Sequence, residues 1–145
     1  MNNTLNGTAA VGRLLIGILF LLSGLSKLGA AAATQGYIAS VGLPAPLLAY
    51  LGAVVVEVGG SLLLIAGYRV RPVAAVMAVF TLMAAFFFHN NLADQNTMIH
   101  FMKNIAITGG LLQVVAYGAG SFSLDARRAR REPEGSIQQP RALSA

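Results

Sequence analysis

Cysteine and tryptophan are both absent from this chain, and charge is scarce, with 10% of residues being Asp, Glu, Lys or Arg. The lack of cysteine excludes disulfides, thiol nucleophiles and cysteine-ligated metals or clusters, so any redox role needs a bound cofactor or a partner that carries the electrons. Without tryptophan, anchoring at a membrane surface falls to tyrosine, arginine and lysine. Soluble domains carry about 25% charged residues. A chain that is 56% hydrophobic, with a mean hydropathy of +0.68, reads as a membrane protein. Its 145 residues suffice for one compact bundle.

The formal net charge of +5 resembles a nucleic-acid signal until it is located. Arg127, Arg128, Arg130 and Arg131 form one run shortly after the last apolar segment. Arginines beside a membrane segment are explained by topology and anionic lipid headgroups, so no nucleic-acid partner is expected.

Four apolar runs are long enough to cross a bilayer, which takes roughly 20 residues as a helix. They predict spans over about 9–30, 47–67, 72–89 and 101–118, preceded by a short polar segment, 1–8, and followed by a disordered basic tail, 126–145. The predicted fold is all-α: a polytopic membrane protein folded as a four-helix transmembrane bundle. A cleaved signal peptide is the weaker reading of the first run, because Arg13 is the lone basic residue ahead of the apolar core and Lys27 interrupts the approach to the small residues. Pro72 is expected to open the third helix, where its missing N–H costs nothing. Lys27 and Lys103 fall near one side and all eight arginines on the other, so the positive-inside rule puts both termini in the cytoplasm and the 31–46 and 90–100 loops outside.

Glu57 stands out in the second span, since a carboxylate at bilayer depth costs roughly 2.5–3.5 kcal/mol even on lenient scales. Three spans carry small and polar residues at alternating steps of four and three. These are Arg13, Gly17, Phe20, Gly24 and Lys27; then Ala53, Glu57, Gly60, Leu64 and Gly67; then Lys103, Ala106, Gly110, Gln113 and Tyr117. That spacing predicts three inward stripes in a left-handed bundle. By counting from span ends, Glu57 lies about 15 Å deep and each cation roughly 10 Å from it along the membrane normal.

The candidate ligand site is a cluster of Lys27, Glu57, His89, Lys103 and Asn104, open to the outer half, with Arg13 as the alternative ion-pair partner. Competing readings are that Lys27 and Arg13 snorkel to headgroups and that a buried pair serves folding alone. His89 and His100, with Asp94 their one acidic neighbour in sequence, make a weak ligand set, and no metal is expected. Phe86, Phe87 and Phe88 read as packing or lipid-facing more than as a quinone-stacking box.

Three segments carry a family likeness: GRLLIGILFLLSGLSKL in the first span, EVGGSLLLIAGYRVR with its glutamate, and the closing KNIAITGGLLQVVAYGAGSFSLD. Over Gly12 to Asp125 the chain resembles the DoxX family of small bacterial inner-membrane proteins. The resemblance implies a four-helix bundle in the inner membrane with cytoplasmic ends. It also implies links to thiosulfate oxidation through quinone-reducing oxidoreductases, to quinone or catechol stress, and to redox complexes. The leading expectation is therefore a membrane subunit or accessory protein of quinone-linked metabolism, with a quinone as ligand and a membrane or cytosolic redox protein as partner. No autonomous catalytic motif is found. The alternatives are a structural or interaction protein that recruits a partner and, third, a small transporter; homo-oligomerisation is left open.

Overall fold

No proline interrupts the first 43 residues, and a helix runs uncapped by any breaker from Asn3 to Gly29, α1. A bend at Ala30 separates it from a short second helix, α2, Ala31–Ser40, which occupies most of the connection to the second span. Pro46 then opens α3, Pro46–Ala66, from the first-turn position that suits proline. Within α3 one π-helical turn, Val55–Gly59, carries Glu57. The remaining elements are α4, Val70–Phe88, α5, Gln95–Tyr117, and α6, Leu124–Arg131. The computed structural model describes residues 3–131, and no strand occurs among them.

Helices α1, α3, α4 and α5 are each long and apolar enough to cross a membrane. Large apolar side chains cover their outer surface, with Leu15, Leu22, Val55 and Phe86 all 60% or more exposed. Such a belt is a liability in water and the natural surface in lipid. The protein is an all-α integral membrane protein in contact with the bilayer.

Two helix pairs build the bundle. α4 packs along α5 over the longest interface, and α1 packs along α3. The second pair is set by glycine. A Cβ on Gly17 would stand 2.5 Å from Ile65 Cγ1, and one on Gly24 would stand 2.6 Å from Val58 Cγ2. Only glycine permits that approach, which is how small residues join helices in lipid, where no hydrophobic force distinguishes side chain from solvent. The buried core of Phe20, Leu64, Val70, Ala74, Met77, Leu111 and Ala119 is concentrated toward the α3–α4 connection.

That end is closed by a clasp of polar groups. Arg13, buried in α1, donates to the carbonyls of Leu64 at 2.9 Å and Phe122 at 2.7 Å. Asp125 accepts from the N–H groups of Arg69 at 2.7 Å and Val70 at 2.9 Å, and so caps α4. Gly67, at φ 73°, ends α3 so close to Ser123 that a Cβ would stand 2.5 Å from the serine Cβ. Asn6 accepts from Ser121 N at 3.2 Å, which places the start of α1 beside the segment leading to α6.

Several boundaries differ from the sequence reading. Residues 3–8 already belong to α1, and α5 starts at Gln95 because Asp94 caps it, accepting from both N and Oγ1 of Thr97. Pro72 is the third residue of α4, still within the first turn where an N–H has no helical partner. Residues 126–131 are helical because Ser123 caps α6 through Ala126 N, with Asp125 in its first turn and arginines in its last. The remainder of the expected tail, 132–145, lies outside the described residues.

Candidate functional site

The Glu57 carboxylate begins as a problem of burial. The residue is 5% exposed at the middle of α3, and such a charge persists only with a close partner. Its partner is Lys27. The Lys27 ammonium lies 2.9 Å from both carboxylate oxygens. Only Oε1 receives a well-directed hydrogen bond; Oε2 has the ionic contact alone and is buried without a donor. Ser23, one turn before Lys27 on α1, accepts from the ammonium at 3.0 Å and donates to Oε1 at 3.3 Å. Tyr50 of α3 donates to the Lys27 carbonyl at 3.3 Å, tying the end of α1 to the start of α3.

The contact is direct, without the gap that counting from span ends suggests. A Cβ on Gly24 would be 3.1 Å from the Glu57 Cβ, so these residues share a level. Lys27, three residues further, is then about 4.5 Å away along the axis at about 1.5 Å per residue, within easy reach of its stem. Arg13, the alternative partner, is committed to the clasp at the opposite end of the bundle.

The stripes met different fates. On α1, Arg13, Gly17, Phe20 and Gly24 are buried and Lys27 is half-buried, all facing protein. On α3, Ala53, Glu57 and Leu64 are buried, but the π turn adds a residue to the register, and Ser61 takes the fully buried place next to Gly60. The α5 stripe is a correction. Lys103, Ala106, Gln113 and Tyr117 are exposed, and the helix turns Asn104, Ile107, Thr108 and Leu111 inward. Its inner face, packed on α4, mixes Asn104 and Thr108 with Ile107 and Leu111, so polarity does not mark the buried side of this helix.

A cavity of about 680 Å³ opens at the end of the bundle away from the clasp. Lys27, Ser23 and Glu57 line it from α1 and α3, and His89, His100, Lys103 and Asn104 from the end of α4 and from α5. All five candidate residues therefore border one space. The intervening walls are apolar, with Phe20, Ile38, Val56, Phe80 and Ile107 among them. Phe87 and Phe88 also line it; Phe88 stacks on Tyr37 at 5.3 Å, whereas Phe86 points outward, edge-on to Phe101.

At the α4–α5 side, the rings of His89 and His100 stack with centroids 5.1 Å apart. The Lys103 ammonium lies 3.2 Å from His100 Nδ1. An ammonium only donates, so this contact is satisfied when that nitrogen accepts and the proton sits on Nε2. Burial holds the His89 pKa below the ordinary imidazole value, helped by its neighbours His100 and Lys103. No cluster of three or more metal-ligating side chains occurs among the described residues. Asp94 is used as a helix cap, and its carboxyl is held below the usual range by the two Thr97 hydrogen bonds.

Ser23, Tyr50, Ser61 and His100 were not among the sequence candidates. Two were readable from spacing: Ser23 precedes Lys27 by four residues and His100 precedes Lys103 by three, each pair on one helix face.

The comparisons with known proteins agree with this architecture. The DoxX family model matches residues 8–90, which include the first two of the three segments noted in the sequence. The chain is 38% identical over 115 residues to the inner membrane protein YqjF of Escherichia coli strain K12, covering 79% of this chain and 87% of that protein. It is 34% identical over 122 residues to the inner membrane protein YphA of the same organism, covering 81% and 87%. No solved structure matches the chain significantly. On the extent of these matches, the chain belongs to the DoxX family.

Proposed function

We propose that the cavity binds a small amphipathic ligand, a quinone headgroup being the class that suits it best, and that the protein serves as an inner-membrane subunit or accessory of quinone-linked redox metabolism. One observation carries this reading: a buried ion pair forms part of the wall of a mainly apolar cavity, and the Lys27 ammonium is not used up. A lysine ammonium has three protons. Two are directed to Ser23 and Glu57 Oε1, which leaves one for a ligand carbonyl or oxyanion. Glu57 Oε2 lacks a donor and is buried beneath the surface of the cavity, so a ligand hydroxyl pairs with it only when the Lys27 stem moves aside. Carbonyl and hydroxyl are the two oxidation states of one headgroup, and the pair can serve both. The apolar walls and aromatic rings suit the ring and the start of an isoprenoid tail, and Asn104, His89 and Lys103 offer further polar contacts near the opening.

A bound quinone supplies two-electron, two-proton chemistry. In this reading the chain's own residues bind and orient it, keep water from its apolar side, and hold a proton at Glu57 or Lys27. Electrons come from a partner protein, since the chain has no cysteine to relay them. By the positive-inside rule the cavity faces away from the cytoplasm and both termini face it.

Titration of purified protein with a short-chain benzoquinone tests this directly. Glu57→Gln and Lys103→Met are expected to weaken binding about tenfold or more, and unchanged affinity in both would remove the quinone site.

The clasp end favours a second reading, an interaction protein. Its arginines face outward, with one carboxylate nearby that is already used as a cap. On this view a truncation after Asp125 loses a co-purifying partner and leaves quinone binding intact.

A further inference from the structure

The clasp end holds a second concave feature, a crevice of about 490 Å³ between the end of α3 and α6. Ala66, Phe122, Ser123 and Leu124 form it together with Arg127 and Arg130. Arg127 and Arg130 are three residues apart on a helix, so their guanidinium groups rise from the same face. Phe122 is 59% exposed and Leu124 is 41% exposed, an apolar floor directly beside the two cations.

The charge here is not balanced. Arg69, Arg71, Arg127, Arg128, Arg130 and Arg131 gather at this end, and the Lys27–Glu57 contact is the sole ion pair among the described residues. Asp125 is spent on capping α4. Glu132 and Glu134, outside the described residues, still leave arginines in excess. Arg128 is held over the Tyr68 ring and donates to its hydroxyl at 3.0 Å, and Arg130 donates to the Ser121 carbonyl at 3.2 Å. Among the described residues Arg127 has no side-chain acceptor, and Arg130 makes one hydrogen bond, to the Ser121 carbonyl.

We propose that this crevice is a binding site for one anionic phospholipid, its phosphate between Arg127 and Arg130 and the first part of its acyl chains on Phe122, Leu124 and Ala66. The shape of the chemistry selects this occupant. Adjacent guanidiniums match phosphate oxygens in planar, bidentate geometry. The apolar floor has no role in binding a free phosphate, and in a membrane protein it borders acyl chains. A basic helix lying at a membrane surface gains from anionic headgroups for the same reason. The lipid would also brace the clasp, because Asp125 in the first turn of α6 holds the α3–α4 connection through Gly67, Arg69 and Val70. The site is independent of the cavity ligand.

The experiment is native mass spectrometry of the full chain released from mixed micelles containing phosphatidylglycerol, phosphatidylcholine or inorganic phosphate. The site predicts one retained phosphatidylglycerol per protomer, about tenfold tighter than phosphatidylcholine, with retention weakening as salt rises. Arg127→Gln with Arg130→Gln should weaken retention about tenfold to thirtyfold. Arg69→Gln with Arg131→Gln removes the same charge outside the crevice and should cost less than about threefold. Phe122→Ser should reduce lipid retention without touching the arginines. Equal losses in the two double variants, no preference over phosphatidylcholine, or displacement of the lipid by millimolar phosphate would each overturn the proposal. If these arginines instead recruit a cytosolic protein, phosphatidylglycerol shows no preference, and the proposal falls.

Discussion

Lys27 Nζ stands 2.9 Å from each carboxylate oxygen of Glu57, beside the point where Gly24 lets α1 touch α3. The pair joins two spans and borders the cavity, so its removal separates a structural role from the proposed ligand binding.

The two halves of the pair should not be equivalent. Lys27→Met leaves the carboxylate buried and unpaired and is expected to cost about 3–5 kcal/mol. Glu57→Gln should cost less, because the Lys27 side chain is 28% exposed and can turn toward the headgroups. Unfolding titrations in detergent micelles would measure the order; equal costs would mean that both groups are trapped.

Glycine contacts give a sharper packing test. Gly24→Ala pushes a methyl onto Val58 and Glu57 and is expected to destabilise by about 1–3 kcal/mol. Gly109, on the exposed side of α5, has nothing within 4 Å of a Cβ, and Gly109→Ala should be neutral or stabilise by up to about 1 kcal/mol. Thermal shifts of the two variants in one detergent decide the matter.

At the other end, Asp125→Ala uncaps α4 by freeing two N–H groups and should cost about 1–2 kcal/mol. Arg13→Lys should fail to rescue Arg13→Ala, since an ammonium cannot span the Leu64 and Phe122 carbonyls as the planar fork does. Amide exchange at the start of α4 would report the first effect without relying on global unfolding.

The pH dependence follows from His89. Its folded pKa is depressed, by burial first and then by His100 and Lys103, so the unfolded state binds the proton more tightly. Its contribution is present above the unfolded value, about 6.5, and is lost as pH falls through the folded value. Stability measured between pH 8 and pH 5 should decline on acidification, and His89→Gln should flatten that decline.

Much of this was readable in the sequence where composition and spacing coincide. The α1 stripe could be read because small and charged residues share a face that nothing else on that helix competes for. Glu57 announced itself by the cost of its charge. The π turn left no mark in the spacing, and it moved Ser61 into the buried place next to Gly60. On α5 Asn104 and Thr108 face inward while Lys103 and Gln113 are exposed, so a rule that equates polar with buried does not single out the inner side. The reach of Lys27 was underestimated because helix ends do not share a level when α2 intervenes between α1 and α3.

The central claim is that the Lys27–Glu57 pair recognises a ligand as well as holding two helices. Replacing both residues together, Lys27→Met with Glu57→Leu, removes the charges without leaving either unpaired and should keep stability within about 1–2 kcal/mol of the parent. The decisive measurement is the affinity of a short-chain benzoquinone for that double variant, by calorimetric titration beside the unaltered protein. A stable bundle is expected whose affinity is at least about tenfold weaker, a loss of about 1.4 kcal/mol. A stable double variant that binds the quinone unchanged would contradict it and leave the pair a purely structural device.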